Sequence, residues 1–387
     1  MTVPSRPSVL ALVLATLVAG VAGAQPRPRA RDLGIPFDGT PGPLNAITDV
    51  AGVAVGHATI VRGAPPFVAG TGPVRTGVTA IQPRGRRWST VFAGWFAGNG
   101  FGEMTGAPWV VEGGVLGGPV LITNTYSVGV VRDAVNAWFA DVLRVDIPWH
   151  QPVVGETSDA FLNDIAGQHV TRAHAWAALD SARGGAVPEG NVGGGTGMVA
   201  HGFKGGIGTA SRVVAGGYTV GVLVQANYGT REALTIAGVP VGRALQGFER
   251  RRTPDADPLP PSDRDGSIIV VVATDAPLLP HQLERLARRV PMGIARLGGT
   301  ASNGSGDIFL AFSTANPGAA AETGRTPLEW LPNGDLNPFF VATVEATEEA
   351  IVNALVAAET MTGAHGTVYA LPHEPVRELL RRAGRLR

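Results

Sequence analysis

From Val128 to Arg144 the apolar residues Val128, Val131, Val135, Trp138, Phe139 and Val142 recur with a period near 3.6 residues, which predicts a helix lying on a sheet. Further helices are expected near Ser158–Ala166, from Pro280 to about Arg289, and over an alanine- and glutamate-rich stretch at about Val341–Met361. Proline opens a helix well because the N–H it lacks would be unpaired there. Between these segments, β-rich runs bounded by Gly or Pro read as strands: Val78–Ala80, Thr90–Phe96, Val120–Thr125, Tyr218–Ala226 and Ile308–Thr314. One run differs from the rest. Ser267-Ile268-Ile269-Val270-Val271-Val272-Ala273 is apolar and β-branched in both phases, so it predicts a strand buried on both faces. Strands and helices in this mixture fit a layered α/β body in which sheets pack face to face under helices.

Two stretches break the pattern. Arg29 to Val55 is punctuated by Pro and Gly and reads as an extended lead-in, while Glu249 to Gly266 (ERRRTPDADPLPPSDRDG) is charged, proline-rich and unable to bury apolar surface. The second is expected to be an exposed loop, and it runs directly into the buried strand at Ser267. At the N-terminus, Arg6, the apolar Val9–Val21 and Ala22-Gly23-Ala24 have the layout of a secretory signal peptide over residues 1–24, cut after Ala24. The mature chain, 25–387, is then expected to be a single domain, secreted or periplasmic, and no later stretch is long and apolar enough to cross a bilayer.

Composition narrows the chemistry. The chain has no cysteine, which excludes disulfides, thiolate catalysis and cysteine metal sites. Removing the leader leaves 30 basic residues (31 less Arg6) against 31 acidic ones, which offers no electrostatic case for nucleic acid or an anionic membrane. The expected partner is a small molecule or peptide. The histidines include no pair at zinc-protease spacing, Gly193-Gly194-Gly195-Thr196-Gly197 lacks the lysine of a phosphate loop, and no G-x-S-x-G elbow is present. No metal and no cofactor are therefore expected, and the glycine run reads as a tight turn or a loop beside the substrate.

The boundary between loop and core strand carries Asp265-Gly266-Ser267. A serine hydroxyl there can attack the preceding carbonyl and turn the peptide into an ester that water opens. Glycine leaves the strained backbone of such an attack unobstructed. The cut would give Ser267 a free α-amine with a reference pKa of about 7.7–8.0, a base able to take the proton of its own hydroxyl. Read alone, Gly-Ser is also an ordinary loop end before a strand.

Further motifs assemble in order along the chain: Arg29-Ala30-Arg31-Asp32-Leu33-Gly34, Gly100-Phe101-Gly102-Glu103-Met104-Thr105-Gly106, Pro152-Val153-Val154-Gly155-Glu156-Thr157, Glu189 to Gly197, Gln225-Ala226-Asn227, and Ser305-Gly306-Asp307-Ile308. With them the chain resembles the serine peptidase family that contains L-aminopeptidase/D-amidase-esterase and the β-peptidyl aminopeptidases. The resemblance implies a four-layer α-β-β-α sandwich similar to N-terminal nucleophile hydrolases, self-cleaved into 25–266 and 267–387, with oligomers of the cleaved pairs. It implies catalytic roles for Ser267 as nucleophile, Ser305 as its supporting serine, Asp307 as an acidic neighbour and Asn227 as oxyanion donor. Glu156 would receive the free amine of peptide or aminoacyl amide substrates.

Two departures from that pattern bear on the site. The β-peptidyl aminopeptidases carry glutamate where this chain has Asp307, and relatives often carry tyrosine where it has Ser158. Read without the resemblance, Asn227 fits a turn cap after a strand, and Glu156 fits an exposed glutamate in the first turn of a helix, favoured there by the helix dipole. Two alternatives share the scaffold: an acyltransferase resembling ornithine acetyltransferases, which use threonine, and a secreted binding protein without catalysis.

Overall fold

The strand predicted after the junction runs Gly266–Thr274, and its two phases enter different cores. Ile268, Val270 and Val272 pack with the helices, while Ile269, Val271 and Ala273 pack against a second sheet. Burying each of these larger side chains contributes about 1.5–3 kcal/mol, which explains why the run is apolar in both phases. The strand is flanked on both edges, antiparallel to Thr219–Tyr228 and parallel to Gly306–Ser313. This computed structural model describes residues 27–146, 150–253, 266–319, 321 and 323–386. The expected signal peptide, residues 1–24, and residues 254–265 of the expected loop lie outside the described residues.

The strands form two main sheets. The six-stranded one has the order Val115–Gly117, Thr90–Gly100, Gly306–Ser313, Gly266–Thr274, Thr219–Tyr228, Gly206–Val213. The four-stranded one has the order Ala54–Arg62, Val74–Gln82, Val120–Asn124, Val153–Thr157. Three cores separate four layers. Helices Pro280–Ala287, Val290–Arg296 and Asn337–Val356 cover the larger sheet through residues such as Leu283, Ile294 and Ala350. The two sheets meet through Val120, Ile122, Leu223 and Leu310. Helices Val128–Asp141 and Arg172–Ser181 cover the smaller sheet through Val131, Val135, Trp138 and Leu179. The result is the expected α-β-β-α sandwich, and among the described residues no helix is long and apolar enough to cross a membrane.

Three sequence readings change. No helix forms over Ser158–Ala166; Asn163 there is tied to a distant strand, its Oδ1 accepting from Arg75 N at 3.0 Å while its Nδ2 donates to Asp159 Oδ1 at 3.0 Å. A short 3₁₀ turn at Ile165–Gly167 follows, and the helix begins only at Arg172. The long helix opens earlier than expected, at Asn337 with a proline in its first turn, and ends at Val356, so Met361–Thr362 is a short strand. The charged stretch after Glu249 is tied down where it begins, with Arg251 and Arg252 paired to Thr367 and Gly366.

The glycine run is threaded between the sheets. Gly193–Gly195 forms a buried 3₁₀ turn in which a Cβ on Gly194 would lie 2.1 Å from Gln225 Oε1, and one on Gly197 would lie 2.2 Å from Arg75 O. No larger residue fits there.

Candidate active site

Strand register builds the site. Asn227 lies directly opposite Ser267 in the antiparallel pair, and opposed residues of such a pair present their side chains on one face. Asn227 ends its strand rather than capping a turn. Its Oδ1 accepts the Val199 N–H at 2.8 Å, which leaves the NH₂ end to donate, and that end meets no acceptor among the described residues. On the other edge of the Ser267 strand, Gly306 N–H donates to Ser267 Oγ at 2.9 Å.

Tyr228 lies opposite Gly266, the residue before Ser267. Gly266 has φ +59°, and a Cβ on it would stand 1.9 Å from Asn227 O, so glycine is required both by conformation and by space. The peptide that would be cut is thus held in the left-handed region beside its own attacking hydroxyl.

Ser305 and Asp307 bracket Gly306 at the start of the neighbouring strand. Ser305 Oγ lies 3.0 Å from Asp307 Oδ2 and 2.9 Å from Ser302 O, and Asp307 Oδ1 accepts Ile268 N–H at 3.2 Å. Asp307 therefore reaches the backbone next to Ser267 despite being one methylene shorter than glutamate. Burial pushes its carboxyl up to about 6, against the hydrogen bonds from Ser305 and Ile268 that favour the charged form.

Glu156 closes the Val153–Thr157 strand at the edge of the smaller sheet, 5% exposed, so the exposed helix-start reading does not hold. Its Oε1 accepts Glu103 N–H at 3.0 Å and its Oε2 takes the Thr125 hydroxyl. Burial raises its pKa, and these two donors only partly oppose that. No cation neutralises it among the described residues.

A cavity of about 920 Å³ joins these elements at one end of the sandwich. Ser267, Asn227 and Glu156 line it together with Phe101, Tyr126 and Ser158. Tyr126 and Phe101 are 57% and 69% exposed, so aromatic surface is present in the cavity that Ser158 also lines. Ser305 and Asp307 instead line a second chamber of about 130 Å³ behind Ser267, which shares Tyr228, Gly229 and Thr230 with the cavity. The structure thus divides the expected set into residues facing the cavity and residues supporting them from behind. Thr125, Gly306 and Val199 were missed by sequence reasoning. Two of the three act through backbone N–H groups, which leave no mark on residue type. Among the described residues, no group of three or more histidines, aspartates or glutamates is placed to hold a metal ion.

Comparison with known proteins agrees with this geometry. The beta-peptidyl aminopeptidase BapA of Sphingosinicella microcystinivorans is 54% identical over 389 residues, 97% of each chain. The BapA of Sphingosinicella xenopeptidilytica is 48% identical over 391 residues, covering 97% of this chain and 96% of its own. Among solved structures, the L-aminopeptidase D-Ala-esterase/amidase of Ochrobactrum anthropi, described as a variant of the Ntn hydrolase fold, superposes with a TM-score of 0.85 at 48% identity, covering 93% of this chain and all of that one. The profile of peptidase family S58 matches residues 45–369. With that span of the chain matched and its fold shared, this protein belongs to peptidase family S58, as an aminopeptidase.

Proposed function

We propose that Ser267 serves twice, first cutting the chain at Gly266-Ser267 into 25–266 and 267–387, then acting as an N-terminal nucleophile that removes amino-terminal residues from short peptides, aminoacyl amides or esters. The observation that carries this reading is the convergence of Ser267, the donor end of Asn227 and the uncompensated carboxyl of Glu156 on one cavity. In the first step Ser267 Oγ bonds to the Gly266 carbonyl carbon, the C–N bond breaks, the hydroxyl proton passes to the departing nitrogen, and water hydrolyses the ester.

The freed α-amine then takes the hydroxyl proton as Oγ attacks a substrate carbonyl. The Asn227 NH₂ meets the oxyanion, the protonated amine returns its proton to the leaving group, and water releases the acyl group from Oγ. Loss of one such donor typically costs ~10²–10³ in rate. Ser305 and Asp307 hold the Ser267–Ile268 backbone in place from the rear chamber. Glu156 selects free-amine substrates because a charge-assisted hydrogen bond is roughly twice as strong as a neutral one. In this reading the enzyme is exported and works as an oligomer of cleaved pairs.

Intact-mass analysis tests the double role. Ser267→Ala is expected to give a single uncut, inactive chain, because both steps need the hydroxyl. A two-chain pattern from that variant would remove Ser267 from the centre of the mechanism.

A further inference from the structure

Lys204 is fully buried, and its Nζ donates to three backbone carbonyls: Gly205 at 2.8 Å, Met198 at 2.9 Å and Gly195 at 3.2 Å. Three acceptors match the three N–H groups of an ammonium, whereas a neutral amine has only two to give. A lysine with no carboxylate in contact is an expensive way to staple a loop. Burial, reinforced by Arg27, lowers its pKa well below the usual lysine value, and Asp159 opposes the shift. That cost implies a return elsewhere.

The return lies one peptide group away. The Met198 carbonyl that accepts from Lys204 belongs to the same peptide plane as the Val199 N–H, and this N–H donates to Asn227 Oδ1 at 2.8 Å. Val199 also lies opposite Lys204 in the short hairpin Val199–Ala200 and Phe203–Lys204, so the register fixes the geometry. A cation on the carbonyl makes the N–H across the peptide a better donor, and that donor on Oδ1 makes the Asn227 NH₂ a better donor in turn, since chained hydrogen bonds polarise one another.

On this geometry we propose that Lys204 is a positioning residue for the oxyanion site: its ammonium fixes and polarises the Met198–Val199 peptide, and through it the amide of Asn227. The glycine run gains a role as well, because Gly195 supplies one of the three carbonyls and places the turn within the lysine's reach. This inference rests on the oxyanion role given to Asn227 above.

A double-mutant cycle separates the two ideas. Lys204→Met, Asn227→Ala and the double variant are purified, kcat and KM are measured on an alanyl amide, and the cut at Gly266-Ser267 is timed by intact mass, so that a variant too slow to mature is still read. Lys204→Met is expected to lower kcat, or the rate of the cut, by at least about tenfold with little change in KM, a share of the ~10²–10³ that an oxyanion donor supplies. The double variant is expected to be no slower than Asn227→Ala. A purely structural lysine would instead give losses that multiply, and multiplying losses or an unimpaired Lys204→Met overturn the inference while leaving Asn227 in its role. An unimpaired Asn227→Ala overturns the oxyanion reading itself. If Lys204→Met does not fold, Lys204→Gln, which keeps amide donors without the charge, is carried through the same cycle with the same expected non-additivity and the same overturning results.

Discussion

Two regions of the molecule bury carboxyl groups and treat them in opposite ways. At the cavity end, Glu156 and Asp307 meet only hydroxyls and backbone N–H groups, and both have raised pKa values because burial outweighs those bonds. Away from the cavity, Glu349 on the long helix is fully buried but accepts from Arg31 at 2.7 and 2.8 Å, Arg212 at 2.8 Å and Asn45 at 2.6 Å. Burial pushes its pKa up, yet these partners outweigh it and the net shift is downward. A carboxyl fenced by neutral donors can still gain a proton or an incoming ammonium. One clamped by arginines is committed to holding structure.

The comparison has a topological side. Glu349 follows Ser267 in sequence, whereas Arg31, Asn45 and Arg212 all precede it, so the ion network joins the two segments that the proposed cut would separate. Together with the doubly flanked Gly266–Thr274 strand, it would give the two halves a shared core after the proposed cut.

The sharpest way to break the active end is at its backbone. Gly266→Ala demands φ near +59° from a residue with a Cβ and drives that Cβ into Asn227 O, so the variant is expected to remain full length. A gel showing normal two-chain protein would mean that the left-handed glycine is dispensable for the cut. Next in size is the structural end. Glu349→Ala leaves Arg212, 1% exposed, with Glu345 at 3.4 Å as its remaining carboxylate, and removing one member of a buried pair costs up to about 3–5 kcal/mol. Denaturant unfolding should register that loss while turnover per folded molecule stays near wild type; a loss below ~1 kcal/mol would place the network among weak surface pairs.

A smaller effect is expected at Glu156. Glu156→Gln should reduce kcat/KM for an alanyl amide by at least about tenfold, where each ~1.4 kcal/mol is a factor of ten, and should leave the N-acetyl substrate and the cut almost unchanged. An undiminished preference for the free amine would take Glu156 out of recognition.

The finest test uses pH, where the two regions should carry opposite signs. Asp307 has a folded pKa of about 6, above its unfolded value near 3.9, so its contribution to stability is fully present below about pH 4 and is lost as pH rises through 6. Glu349 is shifted below its unfolded value near 4.3, so its contribution is present above about pH 4.3 and is lost as pH falls through the lower folded pKa. Relative to wild type, Asp307→Asn should therefore gain in Tm between pH 4 and 7, while Glu349→Gln should lose on leaving the acid range. Slopes of the same sign would show that the two carboxyls are not the opposites drawn here.

Much of this was legible beforehand, for identifiable reasons. The apolar, β-branched run after Ser267 reads as a strand covered on both faces, and the 3.6-residue stripe at Val128–Val142 as a helix with one apolar face, because periodicity is a property of a segment by itself. Asn163 shows where that stops. Its side chain bonds the backbone N–H of Arg75, which is far away in sequence, and the segment follows that tertiary contact without the helix its local pattern predicted.

At the site, the residues matched one by one to family motifs were Ser267, Asn227, Glu156, Ser305 and Asp307. Their division into three that face the cavity and two that stand behind it came only from the structure. By itself the sequence determined which side chains are available, that Gly precedes Ser at a loop-to-core junction, and that a strand must follow. Tertiary structure decided that Asn227 lies opposite Ser267, that the Val199 N–H turns the Asn227 amide, and that Glu156 is buried without a cation while Glu349 is buried with two. The physical reason is that register, burial and pKa depend on neighbours brought together across the chain, and backbone donors carry no residue-type signature by which a sequence could announce them.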